Sequence, residues 1–415
     1  MDQPALFDDP EPVGIQWLPR RQAALARLEQ FLPLAGAHYA RRRNYDLGPE
    51  DRSNISCLSP WIRHRTLLEQ EVLVHTLARF GASTAEKFIQ EVFWRGYFKG
   101  WMEHRPGVWQ YFCQKLENAQ RRCEQDSTLY HRYQAAITGS TGIDCLDSWS
   151  RELVKTNYLH NHARMWFASI WIFTLKLPWQ LGAGFFLQHL LDGDPAANTL
   201  SWRWVGGLHT KGKAYGARAD NIERFTAGRF NPHSQLAPVA SPLVEDDEHP
   251  LLALPAQARW TASNRYGLLL TEEDTQSESL KLPTSPAALA VLPPAKKFGP
   301  VAVASPVLTF RKALLTDASR RAQNHFDHPP LSLPNRDPKS LLGWARDENL
   351  DAIALSLPPV GPTRDWLVTA RNELSAAGIG CHTVLRRYDA LLWPHTTAGF
   401  FKLRKKIPNI VRSMV

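Results

Sequence analysis

Ten prolines between residues 231 and 300, at 232, 238, 242, 250, 255, 283, 286, 293, 294 and 300, divide the 415-residue chain into unlike halves. Each removes a backbone donor and fixes φ, so the stretch reads as an extended crossing segment with no long element of its own. Before it, apolar residues recur three and four apart, as in Leu25, Leu28 and Leu32 or Leu68 and Val72, the period of helices packed on one another. Ser83 and Glu86 have capping-box spacing and predict a helix over 83–103; further helices are expected over 146–157 and over 160–177, where Pro178 stops the last. After the prolines, 352–357 reads as a buried strand, 363–377 as a helix ended by Gly378 and Gly380, and 381–385 as a second strand. The expected architecture is mainly α: a helical domain over 18–232, a proline-rich linker over 233–300, and a small α/β domain over 301–415. Within the linker, 268–280 reads as a short helix, with Trp260 and Tyr266 pinning the segment to a neighbouring surface.

Apolar residues make up 44% of the chain and include 15 Trp, enough for a substantial core, so wholesale disorder is excluded. The longest apolar run, 166–175, is broken by Ser169 and Thr174 and falls short of the roughly 20 residues a bilayer requires. The opening MDQPALFDDPEP is acidic where an export signal is basic and then apolar. Five irregularly spaced cysteines support neither a disulfide framework nor a zinc site, and a reducing, cytoplasmic setting is expected. A net charge of +9 is compatible with a polyanionic partner, provided the cations cluster.

Four clusters carry chemistry. Glu91, Trp94, Arg95 and Phe98 share one helix face and suit a pocket that stacks a flat ring; alternatively, Glu91 and Arg95 are an i,i+4 ion pair on a solvated face. Asn161 and Arg164 share a face at a helix start; His160 and His162 beside them lack further ligands at metal spacing and read as structural histidines. In Asp192-Gly193-Asp194-Pro195 two acids flank a glycine, as in a calcium-like loop without its bidentate Glu, or as a site where the acids pair with arginine and a ligand N–H; Asn198, Trp202 and Trp204 follow. The glycine-punctuated stretch 203–229 carries Arg203, Lys211, Lys213, Arg218 and Arg224, suited either to backbone phosphates or to solvent.

In this order the clusters resemble the flavin-binding helical domain of the photolyase and cryptochrome family, over about residues 39–232. The strongest pieces are Leu58-Ser59-Pro60, Glu91-x-x-Trp94-Arg95, Thr141-Gly142 with Asp147, His160-Asn161-x-x-Arg164-Met165, and Asp192-Gly193-Asp194-x-Ala196-x-Asn198 with Trp202 and Trp204.

The resemblance implies FAD as cofactor. Tyr39, Ser56, Leu58, Ser59 and Arg95 would hold its diphosphate and ribityl part, and Asn161, Arg164, Asp192 and Asp194 its ring system, with Asn198 facing flavin N5. Glu91, Trp94, Met165 and Trp204, with His162 placed beside them, match positions that grip a cyclobutane pyrimidine dimer flipped out of DNA. Family members acting on the (6-4) lesion place His where this chain has Asn161 and Met165, so the cyclobutane dimer is favoured. Photoreduction would run through Trp202 and Trp179; the third tryptophan aligns with Ala136, so the relay would end at Tyr133, Trp149, Trp171 or elsewhere. Arg203, Lys211, Lys213 and Arg218 are expected on DNA. Ile55 and Cys57 stand where the family usually has Thr and Arg, and the α/β antenna domain that opens family members is expected to be missing or relocated to the C-terminal unit. The implied partner is UV-damaged DNA, duplex or single-stranded, met by a monomer without a membrane, metal or general base. A photoreceptor that binds FAD without repair is the second reading, and a flavin-free DNA-binding relic the third. The closing run 402–406 reads as a solvated terminus basic enough to touch DNA.

Overall fold

The computed structural model describes residues 15–246, 248–256 and 265–414. Its first half is helical: α1 (Arg21–Phe31), α2 (Ala37–Arg42), α3 (Ser59–Arg63), α4 (Glu69–Arg79), α5 (Glu86–Glu103), α6 (Gly107–Gln125), α7 (Ser127–Thr138), α8 (Asp144–Thr156), α9 (Asn161–Ser169), α10 (Trp179–His189), α11 (Pro195–Val205) and α12 (Ala219–Phe225). Helix α5 ends where the sequence predicts, but no capping box opens it: Ala85 is its N-cap and 82–85 form turns, while Glu86 bonds Gln90 and Arg404. The helix expected over 160–177 is α9 followed by one wider π-helical turn, Ile170–Thr174, before Pro178. Such a turn accommodates one extra residue, and here it precedes the Leu175–Pro178 connection that delivers α10.

The second half holds a parallel five-stranded sheet with spatial order β5-β2-β1-β6-β7, from β1 (Tyr266–Leu270), β2 (Ala288–Val291), β5 (Leu331–Ser332), β6 (Ala352–Ser356) and β7 (Gly380–Val384). A separate two-stranded antiparallel ribbon joins β3 (Lys297–Phe298) to β4 (Val301–Ala302). Helices α13 (Ser305–Phe326), α14 (Pro338–Asp347) and α15 (Pro362–Ala376) connect the strands, and α16 (Arg387–Leu392), α17 (Phe400–Arg404) and α18 (Ile407–Met414) close the chain. The βαβ unit read from sequence is β6-α15-β7.

The linker expectation over 233–300 is corrected in its second half. The central strand β1 and its neighbour β2 lie there, each fitted between prolines, and the segment expected as a short helix is β1 followed by a turn. Unlike 352–357, the run Tyr266-Gly-Leu-Leu-Leu270 contains a glycine and no β-branched residue and leads by way of Thr271 into the acidic stretch 272–274, so it carries no clear strand signal of its own. Tyr266 is buried as expected; Trp260 lies outside the described residues.

Residues 301–415 are not packed apart from the helical half either. Phe310, Leu314, Tyr388, Leu392, Trp393 and Phe400 share one apolar core with Leu28, Trp61, Leu73 and Phe93. Gly96 and Gly100, one turn apart on α5, make this approach possible: a Cβ at 96 would stand 2.3 Å from Leu392 Cδ2, and one at 100 would stand 2.6 Å from Trp393 Cδ1. The C-terminal ends of the strands also face the helices. Thr271-Glu272-Glu273-Asp274, immediately after β1, is buried against Arg63, Arg65, Arg311, Arg336 and Arg386.

Candidate functional site

Segments far apart in the chain converge on one cavity of about 840 Å³: the 55–59 loop entering α3, the middle of α5, the start of α9, and the 192–194 loop with α11. That volume is in the range, roughly 300–1,000 Å³, of sites that enclose a cofactor or comparable ligand. Tyr39, Ser56, Leu58, Ser59, Arg95, Asn161, Arg164, Asp192, Asp194 and Asn198 all line it, as do Glu91, Trp94, His162, Met165, Trp202 and Trp204.

The polar floor is built around the two aspartates. Arg164 approaches Asp192 with both terminal nitrogens, at 3.1 Å each. Burial alone would raise the Asp192 pKa, but Arg164, Arg95 and the Ser59 hydroxyl hold it below the usual carboxylate range. Asp194 caps α11 by accepting from Ala197 N at 2.8 Å. Against its burial, Lys99 at 3.7 Å, Arg63 at 3.7 Å and Arg95 at 3.8 Å lower its pKa to about 2. Asn198 donates from Nδ2 to Ala183 O at 2.9 Å, which leaves its side-chain oxygen, an acceptor, for the cavity. Arg95 Nη1 is buried without a hydrogen-bond partner, and Asp192 Oδ1 has the Arg164 ion pair and no hydrogen bond of its own. Unpaired buried donors and acceptors are costly, so a floor of this kind is made for a ligand that completes it.

At the other wall, Tyr39 lies edge-on to Phe31 and Phe88. The carbonyls of Ile55 and Ser56 accept from Arg27 at 2.8 Å each, and that of Cys57 from Trp17 at 2.9 Å. A guanidinium thus braces this loop from behind, although position 57 carries no cation.

The rim is aromatic. Trp94 stacks on Phe400 at 3.7 Å, and Trp204 stacks on Tyr215 at 5.5 Å. Glu91 pairs with Arg43, not with Arg95 one turn away; burial holds its pKa above the ordinary range despite that guanidinium. Neither a solvated-face pair nor an Arg95 partner is therefore correct for Glu91. His162 stacks on Trp166 at 4.0 Å, with Nδ1 2.9 Å from Asn44 O, and Asn161 is exposed at the edge. No cluster of three or more metal-ligating side chains occurs among the described residues.

Among the described residues, the rings in contact with Trp202 are Phe167, Phe186 and Trp171, the last at 6.2 Å. Trp171 in turn meets Tyr133 at 6.1 Å. Trp179, expected to follow Trp202, stacks on Phe112 at 5.5 Å and lies outside the cavity lining. The chain of ring contacts therefore passes through the π-helical turn.

The expected DNA cations separate. Lys211 and Lys213 are exposed, and Arg218 stands exposed at the cavity edge, paired with Asp220 at 2.7 Å. Arg203 is corrected: it is buried and held by both oxygens of Glu245, so its charge is spent inside the protein. Glu245 lies 42 residues away in the proline-rich segment, a pairing no local spacing reveals. Arg43, Lys99, Arg63 and Tyr158 were missed for the same reason, each reaching the site from an element whose local pattern is ordinary. Phe401 also lines the cavity, from the far end of the chain.

Residues 88–236 match the FAD binding domain of DNA photolyase. A deoxyribodipyrimidine photo-lyase of Streptomyces griseus is 31% identical over 194 residues, 43% of this chain and 41% of that protein. One from Thermus thermophilus is 33% identical over 205 residues, 48% and 45% of the two chains. The chain thus spans less than half the length of these relatives. Among solved structures, a bacterial class III photolyase from Agrobacterium tumefaciens is similar over 51% of this chain and 43% of its own, at 25% identity and TM-score 0.42. Over its helical half the chain is thus similar to proteins of the photolyase/cryptochrome family, and residues 88–236 match that family's FAD binding domain.

Proposed function

We propose that the cavity holds FAD on its polar floor and receives a cyclobutane pyrimidine dimer, flipped out of DNA, between Trp94 and Trp204 at its rim. The observation that carries this reading is the joining of two unlike regions in one space: a floor of paired acids and arginines with open valences, and a rim of two indoles, Met165 and Glu91. The chemistry supplied when FAD is bound is light-driven, reversible electron donation, which opens the dimer ring without a general base.

The protein's own part is positional. Arg164 and Arg95 neutralise Asp192 and Asp194, so both acids stay ionised inside the core and accept from ligand N–H or hydroxyl groups. Asn198 presents an oxygen acceptor that carries no charge. Trp94 and Trp204 offset the cost of extruding a lesion that already stacks poorly, since each unstacked base regains an aromatic face. Apolar Met165 and the largely buried walls exclude water from the transfer.

The test is repair of a dimer-containing oligonucleotide by FAD-loaded protein under blue light, with Trp94→Ala/Trp204→Ala alongside. Loss of repair with flavin retained supports the reading; normal repair by the double variant refutes the assignment of the rim. The photoreceptor reading is favoured by one observation. Arg63 links the 193–194 loop, by its bond to Gly193 O at 2.9 Å, to Glu273 at the end of β1, so a change at the floor has a direct route into the α/β unit.

A further inference from the structure

We infer that α17, in the C-terminal unit, is a DNA-contacting finger at the cavity mouth: Phe401 stacks on a base beside the entering lesion, and the cations following it hold the phosphate backbone. The inference rests on the proposed DNA substrate and assigns part of its recognition to a segment outside the matched domain.

Phe401 is 74% exposed, and among the described residues no other phenylalanine or tryptophan is so exposed. A lone exposed apolar residue is ordinary, but this one borders the same cavity as Trp94 and Trp204. Its neighbours hold it rigidly. Phe400 stacks on Trp94 with an interplanar angle of 11°, Leu403 is buried in the core, and Arg404 bonds Glu86 at 3.1 Å. On a helix those three positions share one side, which leaves Phe401, Lys402 and Lys405 turned the other way.

Charge decides the kind of partner. The run 402–406 contains four cations and no acid, and Lys402, Lys405 and Lys406 are exposed. An apolar ring fixed beside exposed lysines suits a strand that offers a π-face and a phosphate within one nucleotide. An apolar protein partner would gain nothing from the lysines.

The experiment uses the full chain loaded with FAD and fluorescence anisotropy on labelled duplexes with and without a thymine dimer, at several salt concentrations. Phe401→Ala should weaken binding of the dimer duplex about tenfold, the size of one base–aromatic contact, with flavin absorbance and Tm unchanged; Phe401→Trp should restore it. Lys402→Glu/Lys405→Glu/Lys406→Glu should weaken both duplexes and lower the salt slope by about two to three, near 0.9 per lost phosphate contact. Unchanged or tighter binding by Phe401→Ala overturns the finger. Wild-type protein that binds the two duplexes equally, at every salt concentration, overturns instead the lesion reading on which it rests.

Discussion

Replacing Glu273 by glutamine tests whether the α/β unit holds the floor of the cavity in place. Glu273 and Arg63 are both buried, joined by two bonds of 2.5 and 3.1 Å, and Arg63 also reaches Gly193 O at 2.9 Å and Asp194 at 3.7 Å. Glutamine keeps one acceptor but turns an NH2 toward the second guanidinium nitrogen and removes a charge from a cluster that also contains Lys99 and Arg95. Breaking such a buried pair on one side costs about 3–5 kcal/mol. At roughly 2.1 cal/mol/K per residue, 415 residues give an unfolding entropy near 0.9 kcal/mol/K, so Tm should fall by about 3–6 °C. Because Arg63 then leans on Asp194, FAD should also be lost faster on dilution, read as the decay of flavin absorbance after gel filtration. Arg63→Met/Glu273→Leu should recover only part of the Tm, since matched apolar residues replace a buried pair at little cost but Gly193 O and Asp194 lose the Arg63 guanidinium. A Tm within 1 °C of wild type for Glu273→Gln, with equal flavin retention, would refute the reasoning.

Further outcomes follow from the same geometry. Asp194 and Asp274 are each held at about 2 against an ordinary 3.8, so each contributes stability that is complete above about pH 4 and lost as pH falls toward 2. Burial lowers His160 from 6.5 to about 4; its contribution is complete above pH 6.5 and declines between 6.5 and 4, so acid titration of Tm should show a first fall in that window that His160→Gln reduces, with His209, also lowered to about 4, and His64 supplying the rest. Gly100→Ala, whose Cβ would stand 2.5 Å from Thr396 Oγ1, should cost about 1–3 kcal/mol by overpacking and speed proteolysis of residues 388–414. Trp171→Phe should slow flavin photoreduction more than Trp179→Phe, with repair by chemically pre-reduced protein unchanged in both; the opposite order would discard the route through the π-helical turn.

Helical periodicity made the domain legible, and the clusters at 91–98, 161–165 and 192–204 sit on elements whose local spacing places them on shared faces; the cofactor and the rest of the cavity lining came from the family those clusters resemble. The βαβ unit was legible for a similar reason, its strands being bounded by turn residues. Where each charge found its partner was not. Glu91 took Arg43 instead of Arg95, and Arg203 took Glu245 from beyond the prolines, because pairing is settled by which elements pack together and not by distance along the chain. The central strand hid in a proline-rich segment because its leucines, with a glycine and no β-branched residue among them, lead into an acidic stretch.

What the amino-acid order by itself determined, then, is the helical half and the chemistry its faces present: acids, arginines, an amide and indoles at fixed helical offsets. Only the tertiary structure decided that the C-terminal unit closes on α5 at Gly96 and Gly100, braces the 193–194 loop through Glu273, and sets Phe401 at the mouth. Offsets along a helix are a property of backbone geometry and are written locally. Contacts between residues 400 and 94, or 273 and 63, exist only because two apolar surfaces exclude the same water, and that is a property of the whole chain.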